Sequence, residues 1–288
     1  MKSLGKEVVV WVGLALASAL AGCSESGTKQ EGQAPPTADS AAALKADTLA
    51  YTLQTVQARE VGCKGGDEGC TYARIVYPDL AGSGATPALA ANILRGVTLA
   101  TNQVSDTARR LPALEKVTQA FVDSFTAEKA LYKKLDPEAK ALSWSLDVKA
   151  RLSEANGLVF LETESYSFTG GAHGNNYTGY RAYDRQSGAP VLLENLLQDE
   201  TSLAKLQALA EHQFRLQEGL KPKQGYKDYF FEKNRFALPT NWRIRQDTLE
   251  FVYNAYEIKP YAAGTTQLKL PTSAVDSLFT PAYRKLVQ

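Results

Sequence analysis

The chain has 288 residues, 44% hydrophobic, with 32 basic and 31 acidic side chains and a formal charge of +1 at pH 7. So near-neutral a chain has no long-range pull toward nucleic acid, which is excluded as the expected partner. Two histidines and three cysteines are too few for a His-rich metal centre, so neither metal nor cofactor is expected, while the apolar fraction suffices for one large or two modest domains.

Lys2 and Lys6 precede an apolar run over residues 8–22 that ends in Leu20, Ala21, Gly22 and Cys23. A membrane-crossing helix needs roughly 20 apolar residues and this run is shorter, so residues 1–22 read as a lipoprotein signal peptide and Cys23 as the lipid anchor. The expected partner at this end is the membrane, through the lipidated Cys23. The expected location is the cell envelope, facing periplasm or exterior, and Ser24 suits an outer membrane where two membranes exist. Removing residues 1–22 takes away Lys2, Lys6 and Glu7 and leaves 30 basic and 30 acidic residues. Residues 23–45, rich in Ser, Gly, Gln, Ala, Pro and Thr, read as a flexible tether.

Two strand-like runs, 49–58 and 71–77, flank Cys63 and Cys70. In an exported protein these cysteines read as a disulfide stapling a hairpin, since two thiolates without neighbouring His or further Cys leave a zinc tetrahedron half empty. Thr86 and Pro87 have the pattern of an N-cap followed by proline at the first helical position, and Leu89, Ile93, Val97 and Ala100 continue one helical face. A second helix starts near Pro112 with Leu114, Val117, Phe121 and Phe125 on one side. Residues 142–152 alternate apolar and polar, a strand with one buried and one wet face. Asn156 and Gly157 turn the chain, and residues 158–168 return as its antiparallel partner. A strand at 177–183, a helix carrying Leu203, Leu206, Ala210 and Phe214, and short strands near 242–244, 249–253 and 268–270 complete an α+β fold: antiparallel sheets with packed helices in two small subdomains.

The segment from Tyr166 to Tyr177 is the best functional loop. Gly170 and Gly171 permit positive φ, and His173 sits at the tip beside Asn175. As a catalyst His173 needs a carboxylate such as Glu162, Glu164 or Glu257; the same glycines would serve equally in a tight crossing between strands. His212, the other histidine, reads as solvated. Between Lys221 and Arg245 seven basic residues interleave with six aromatics, a pattern that suits either a grip on glycans or a core-forming aromatic set under a basic surface.

Two motifs carry a family likeness. Tyr166 to Asn175, followed by a strand, the Ser187-Gly188 turn and Leu192-Leu193-Glu194-Asn195-Leu196, resembles the C-terminal domain of the RsiV-like family. The stretch from Asp247 to Gly264, then Leu268 to Pro271, resembles that family's closing pattern in the same order and spacing. The resemblance implies residues 46–157 as a PdaC/RsiV-type N-terminal α+β domain and residues 158–288 as the RsiV-like C-terminal domain. It implies an α+β extracytoplasmic module with lysozyme as the best-defined partner; the expected ligand is a lysozyme-like protein or peptidoglycan, with Tyr166, Gly170, Gly171, His173, Asn175, Tyr256, Glu257 and Tyr261 as the ligand-binding candidates and no catalytic residues. A lipobox leaves no cytosolic segment to hold a sigma factor, and no deacetylase domain follows the module, so neither activity is carried over. The expected function is therefore a non-enzymatic envelope binding module. The alternatives are a wall-polymer hydrolase or esterase using His173, and a purely structural tethered domain.

Overall fold

Strand β1 (Thr52–Arg59) pairs antiparallel with β2 (Tyr72–Asp79) across the Cys63–Cys70 disulfide, whose Cα atoms are 6.0 Å apart. The computed structural model describes residues 49–64, 69–105, 107–138, 143–155 and 157–284. The signal, Cys23 and the tether fall outside these, as does the expected strand start at 142. Helix α1 (Pro87–Ala100) begins as its sequence dictates: the Thr86 hydroxyl accepts from the Leu89 amide at 3.2 Å, with proline next in line. Helix α2 (Leu114–Leu135) follows, and β3 (Ser145–Ala155) then lies parallel to β2. Parallel neighbours need a long crossover, which the two helices supply.

Strand β4 (Leu158–Phe168) pairs antiparallel with β3 along its full length, from Ser145↔Phe168 to Ala155↔Leu158. With β5 (Asn175–Asp184) and the short β6 (Pro190–Val191) these strands form one six-stranded sheet in chain order. Helix α3 (Glu200–Gln217), capped by the Asp199 carboxylate on the Ser202 amide at 2.7 Å, leads to a three-stranded antiparallel sheet of β7 (Trp242–Arg245), β8 (Thr248–Tyr253) and β9 (Thr266–Pro271). The α+β class with antiparallel-rich sheets is thus what the chain adopts. The line drawn at 157/158 falls on the turn between β3 and β4, inside the larger sheet, and residues Lys45–Gln288 form one compact unit.

Alternation along β4 explains how one sheet serves two cores. Val159 and Leu161 join Leu89, Ile93, Val97, Phe121, Ile75 and Val148 under α1 and α2. Leu158 and Phe160 point the other way, into a cluster with Phe214 of α3 and with Trp242, Phe251 and Leu268 of the small sheet. Both faces of β4 are therefore dry over residues 158–163, whereas β3 keeps the expected wet side: Lys149 and Arg151 are exposed there and Arg74 pairs with Asp147.

Five of the six aromatic residues interleaved with basic ones belong to this second cluster; Phe230 does not and is 54% exposed. Tyr226, Phe231, Phe236 and Trp242 are buried, and Phe214 packs against Tyr226, Tyr229, Phe231 and Phe236 with ring centroids 5.3–6.1 Å apart. The core-forming reading holds for five of the six rings, which are packed into the core, and only Phe230 keeps a largely exposed face. His212 is exposed on α3, as expected.

Two devices join the sheets. The buried Arg243 guanidinium on β7 meets Glu162 of β4 and Glu250 of β8, each at 2.7 Å, and lies 4.5 Å from the Tyr180 ring centroid. Burial alone would push the Glu162 carboxyl up, but the Ser153 hydroxyl together with Arg243 and Arg151 outweighs it and holds the group below the ordinary carboxylate value. The second device is a pair of buried amides. Asn254 accepts from the Thr178 amide and Asn241 from the Tyr180 amide, both at 2.7 Å, and both side chains donate to the Thr178 carbonyl. They pair with the outer edge of β5 where β6 does not reach, so buried backbone groups are satisfied without another strand.

Candidate functional site

The β4–β5 hairpin and the β8–β9 connection meet, and the meeting point collects most of the residues expected to bind a ligand. In the hairpin, Gly170 and Gly171 adopt φ of 97° and 93°, conformations that a side chain would strain. Gly174 is required for a different reason. A Cβ there would fall 2.3 Å from the Tyr166 ring, so the glycine lets that ring close over the backbone. The Gly174 carbonyl then accepts two hydrogen bonds, from Tyr261 Oη at 2.7 Å and from His173 Nδ1 at 3.0 Å.

Those bonds fix the imidazole. Because a carbonyl only accepts, Nδ1 carries the proton, and Nε2 faces the Tyr256 hydroxyl at 3.5 Å. The His173 and Tyr261 rings stack with centroids 3.6 Å apart and planes 13° from parallel, and Tyr256 lies 5.6 Å from Tyr261. Tyr256 is 54% exposed and Tyr166 36%. Together Tyr166, His173, Tyr256 and Tyr261 make an aromatic platform at the surface.

Its outer half is tied down at several points. Tyr256 has φ of 71°, and its amide donates to the Lys259 carbonyl at 3.0 Å. Ile258 is buried and its carbonyl accepts from Phe230, while Lys259 Nζ reaches Glu218 on the turn after α3 at 3.0 Å. Asn254, already engaged with β5, begins the same loop. The platform is therefore held by core packing, an ion pair and backbone pairing rather than by its own surface contacts.

Of the other expected residues, Gly170 and Gly171 shape the hairpin tip. Asn175 opens β5 opposite Ser167, and Glu257 is exposed beside Tyr256 with its carboxylate 3.3 Å from Asn254 Nδ2. Of the three carboxylates weighed as partners for His173, Glu162 is in the Arg243 cluster and Glu164 pairs with Arg151 at 3.1 Å, while Glu257 stands in the platform loop with its carboxylate on Asn254. The His173 ring nitrogens face a carbonyl and a phenol. Asn241 and Asn254 were not legible as site supports, since an Asn pattern does not reveal which strand edge it will cover.

Comparison with known proteins puts this geometry in context. Residues 194–273 match the family model described as "Protein of unknown function (DUF3298)". The match takes in Tyr256, Glu257 and Tyr261 and leaves the His173 hairpin outside. Two crystal structures share the fold. A DUF3298 family protein from Pseudomonas aeruginosa PAO1 is 24% identical with a TM-score of 0.57, the alignment covering 82% of this chain and 96% of that one. A DUF3298 family member from Bacteroides fragilis NCTC 9343 is 19% identical with a TM-score of 0.62 over the same shares. No curated protein matches the chain.

Proposed function

We propose that the protein is a lipid-anchored binding module of the bacterial cell envelope, held to the membrane through Cys23 and the tether 23–45. Its aromatic platform takes a wall-lytic protein such as lysozyme. The observation that carries this reading is the pre-ordered platform itself: a stacked His173–Tyr261 pair flanked by exposed Tyr256, immobilised from beneath. Tyrosine rings ordered before binding lose little entropy on contact, and such rings dominate the energetics of protein interfaces. The RsiV-like resemblance supplies the class of partner. The anchor in this reading is the lipid on Cys23.

Hydrolysis through His173 is the weaker reading, because its ring nitrogens face groups that do not supply a carboxylate's orienting charge. Cell-wall glycan is the second ligand worth testing, since the exposed faces of Tyr166 and Tyr256 suit sugar rings. The test is calorimetric titration of residues 24–288, which contain the whole compact unit, with lysozyme at physiological salt so that weak charge attraction is screened. Saturable binding weakened about tenfold by Tyr256→Ala supports the proposal. Binding of soluble peptidoglycan fragments without lysozyme moves the platform to glycan, and no binding of either overturns it.

A further inference from the structure

A cleft of about 470 Å³ lies between α1 and the outer part of β5, lined by none of Tyr166, His173, Tyr256 and Tyr261. Its walls come from successive turns of α1 and from Tyr177 and residues 179–183 along the outer edge of β5, with residues 190–192 and 240–242 closing the rest. Gly96 is what lets the walls close: a Cβ there would fall 2.5 Å from the Leu161 side chain and 2.7 Å from Tyr183 Oη. The close approach brings Arg95 of α1 and Arg181 of β5 to one cavity, both within electrostatic range of the buried Tyr183 hydroxyl. Arg95 Nη1 donates to the Ala108 carbonyl at 3.0 Å, which orients that guanidinium, while Arg181 is exposed. Among the described residues the lining contains no carboxylate.

We propose that this cleft binds a saccharide that carries a carboxylate group. Arg181, with Arg95 behind it, provides the planar donors that match a carboxylate. Tyr177, 36% exposed, offers a ring against which a pyranose can pack, and the Asn102 amide and Thr240 hydroxyl line the same space for sugar hydroxyls. The end of α1 that reaches the cleft is its C-terminal end, where Leu99 and Ala100 lie and the helix dipole is negative. A negative helix end penalises two charges more than one, so a singly charged carboxylate fits better there than a doubly charged phosphate does. The volume lies within the range of small-molecule sites and gives room for one or two sugar rings. No platform residue takes part, so the inference holds or fails independently of the lysozyme reading.

The test titrates residues 24–288 with N-acetylmuramic acid and D-galacturonic acid, with N-acetylglucosamine as the ring lacking a carboxylate and with inorganic phosphate as a bare anion. The expected result is saturable binding of at least one acidic sugar and about tenfold weaker binding of N-acetylglucosamine. Arg181→Gln should lose about tenfold and Arg181→Lys less, with circular dichroism unchanged in both variants. Equal affinity for acidic and neutral sugars, phosphate displacing the sugar at equal concentration, Arg181→Gln binding like the parent, or no saturable binding of either acid would each overturn the proposal.

Discussion

Single side chains at this surface are held by contacts that point mutations can separate. Gly174 is buried beneath the Tyr166 ring, with no room for a methyl group. Gly174→Ala should therefore destabilise the fold by about 1–3 kcal/mol in urea unfolding, and adding Tyr166→Ala should recover much of that loss. An additive double mutant would mean that the ring and the glycine are not coupled. Glu162 makes a pH prediction. Its folded value is depressed below the ordinary 4.5, so its contribution is complete above that pH and disappears as pH falls through the folded value. Glu162→Gln should lose about 2–3 kcal/mol at pH 7, because Arg243 keeps only Glu250. The gap between variant and parent should narrow as the parent's carboxyl protonates below pH 4.5 in chemical unfolding curves. A gap that stays constant from pH 7 to pH 3 would contradict the assignment.

At the scale of elements, the outer edge of β5 shows what local pattern reveals and what it leaves hidden. Residues 158–168 read as a strand because alternation and an Asn-Gly turn define it, and β4 occupies those positions. Thr86 and Pro87 mark the start of α1 because capping is a local affair. Two features were not legible. The parallel pairing of β2 with β3 depends on how two helices return the chain. The amide clips of Asn241 and Asn254 come from residues more than 60 positions away from the strand they serve. Asn254→Ala leaves the Thr178 amide without its acceptor and should cost about 1–3 kcal/mol, with faster hydrogen exchange at Thr178 than at Tyr180. Unchanged exchange at Thr178 would show that the edge is protected by other means.

Across the whole molecule, the chain builds one sheet with a core on each face and uses the second core to seat a small sheet whose connecting loop meets the β4–β5 hairpin. His173 and its glycines were visible as a loop worth attention. What joins it to Tyr256, 83 residues later, is the fold, because Ile258, Lys259 and Asn254 anchor the second loop to groups that the local sequence does not identify. A shared carbonyl and a ring stack join Tyr261 to His173, while the Tyr256 hydroxyl lies 3.5 Å from His173 Nε2. The most direct test of the platform as the binding surface is amide chemical-shift mapping of residues 24–288 titrated with lysozyme and, separately, with soluble peptidoglycan fragments. With at least one of these ligands, perturbations should concentrate in residues 166–175 and 254–264. Perturbations confined to other surfaces, or none with either ligand, would contradict the central claim.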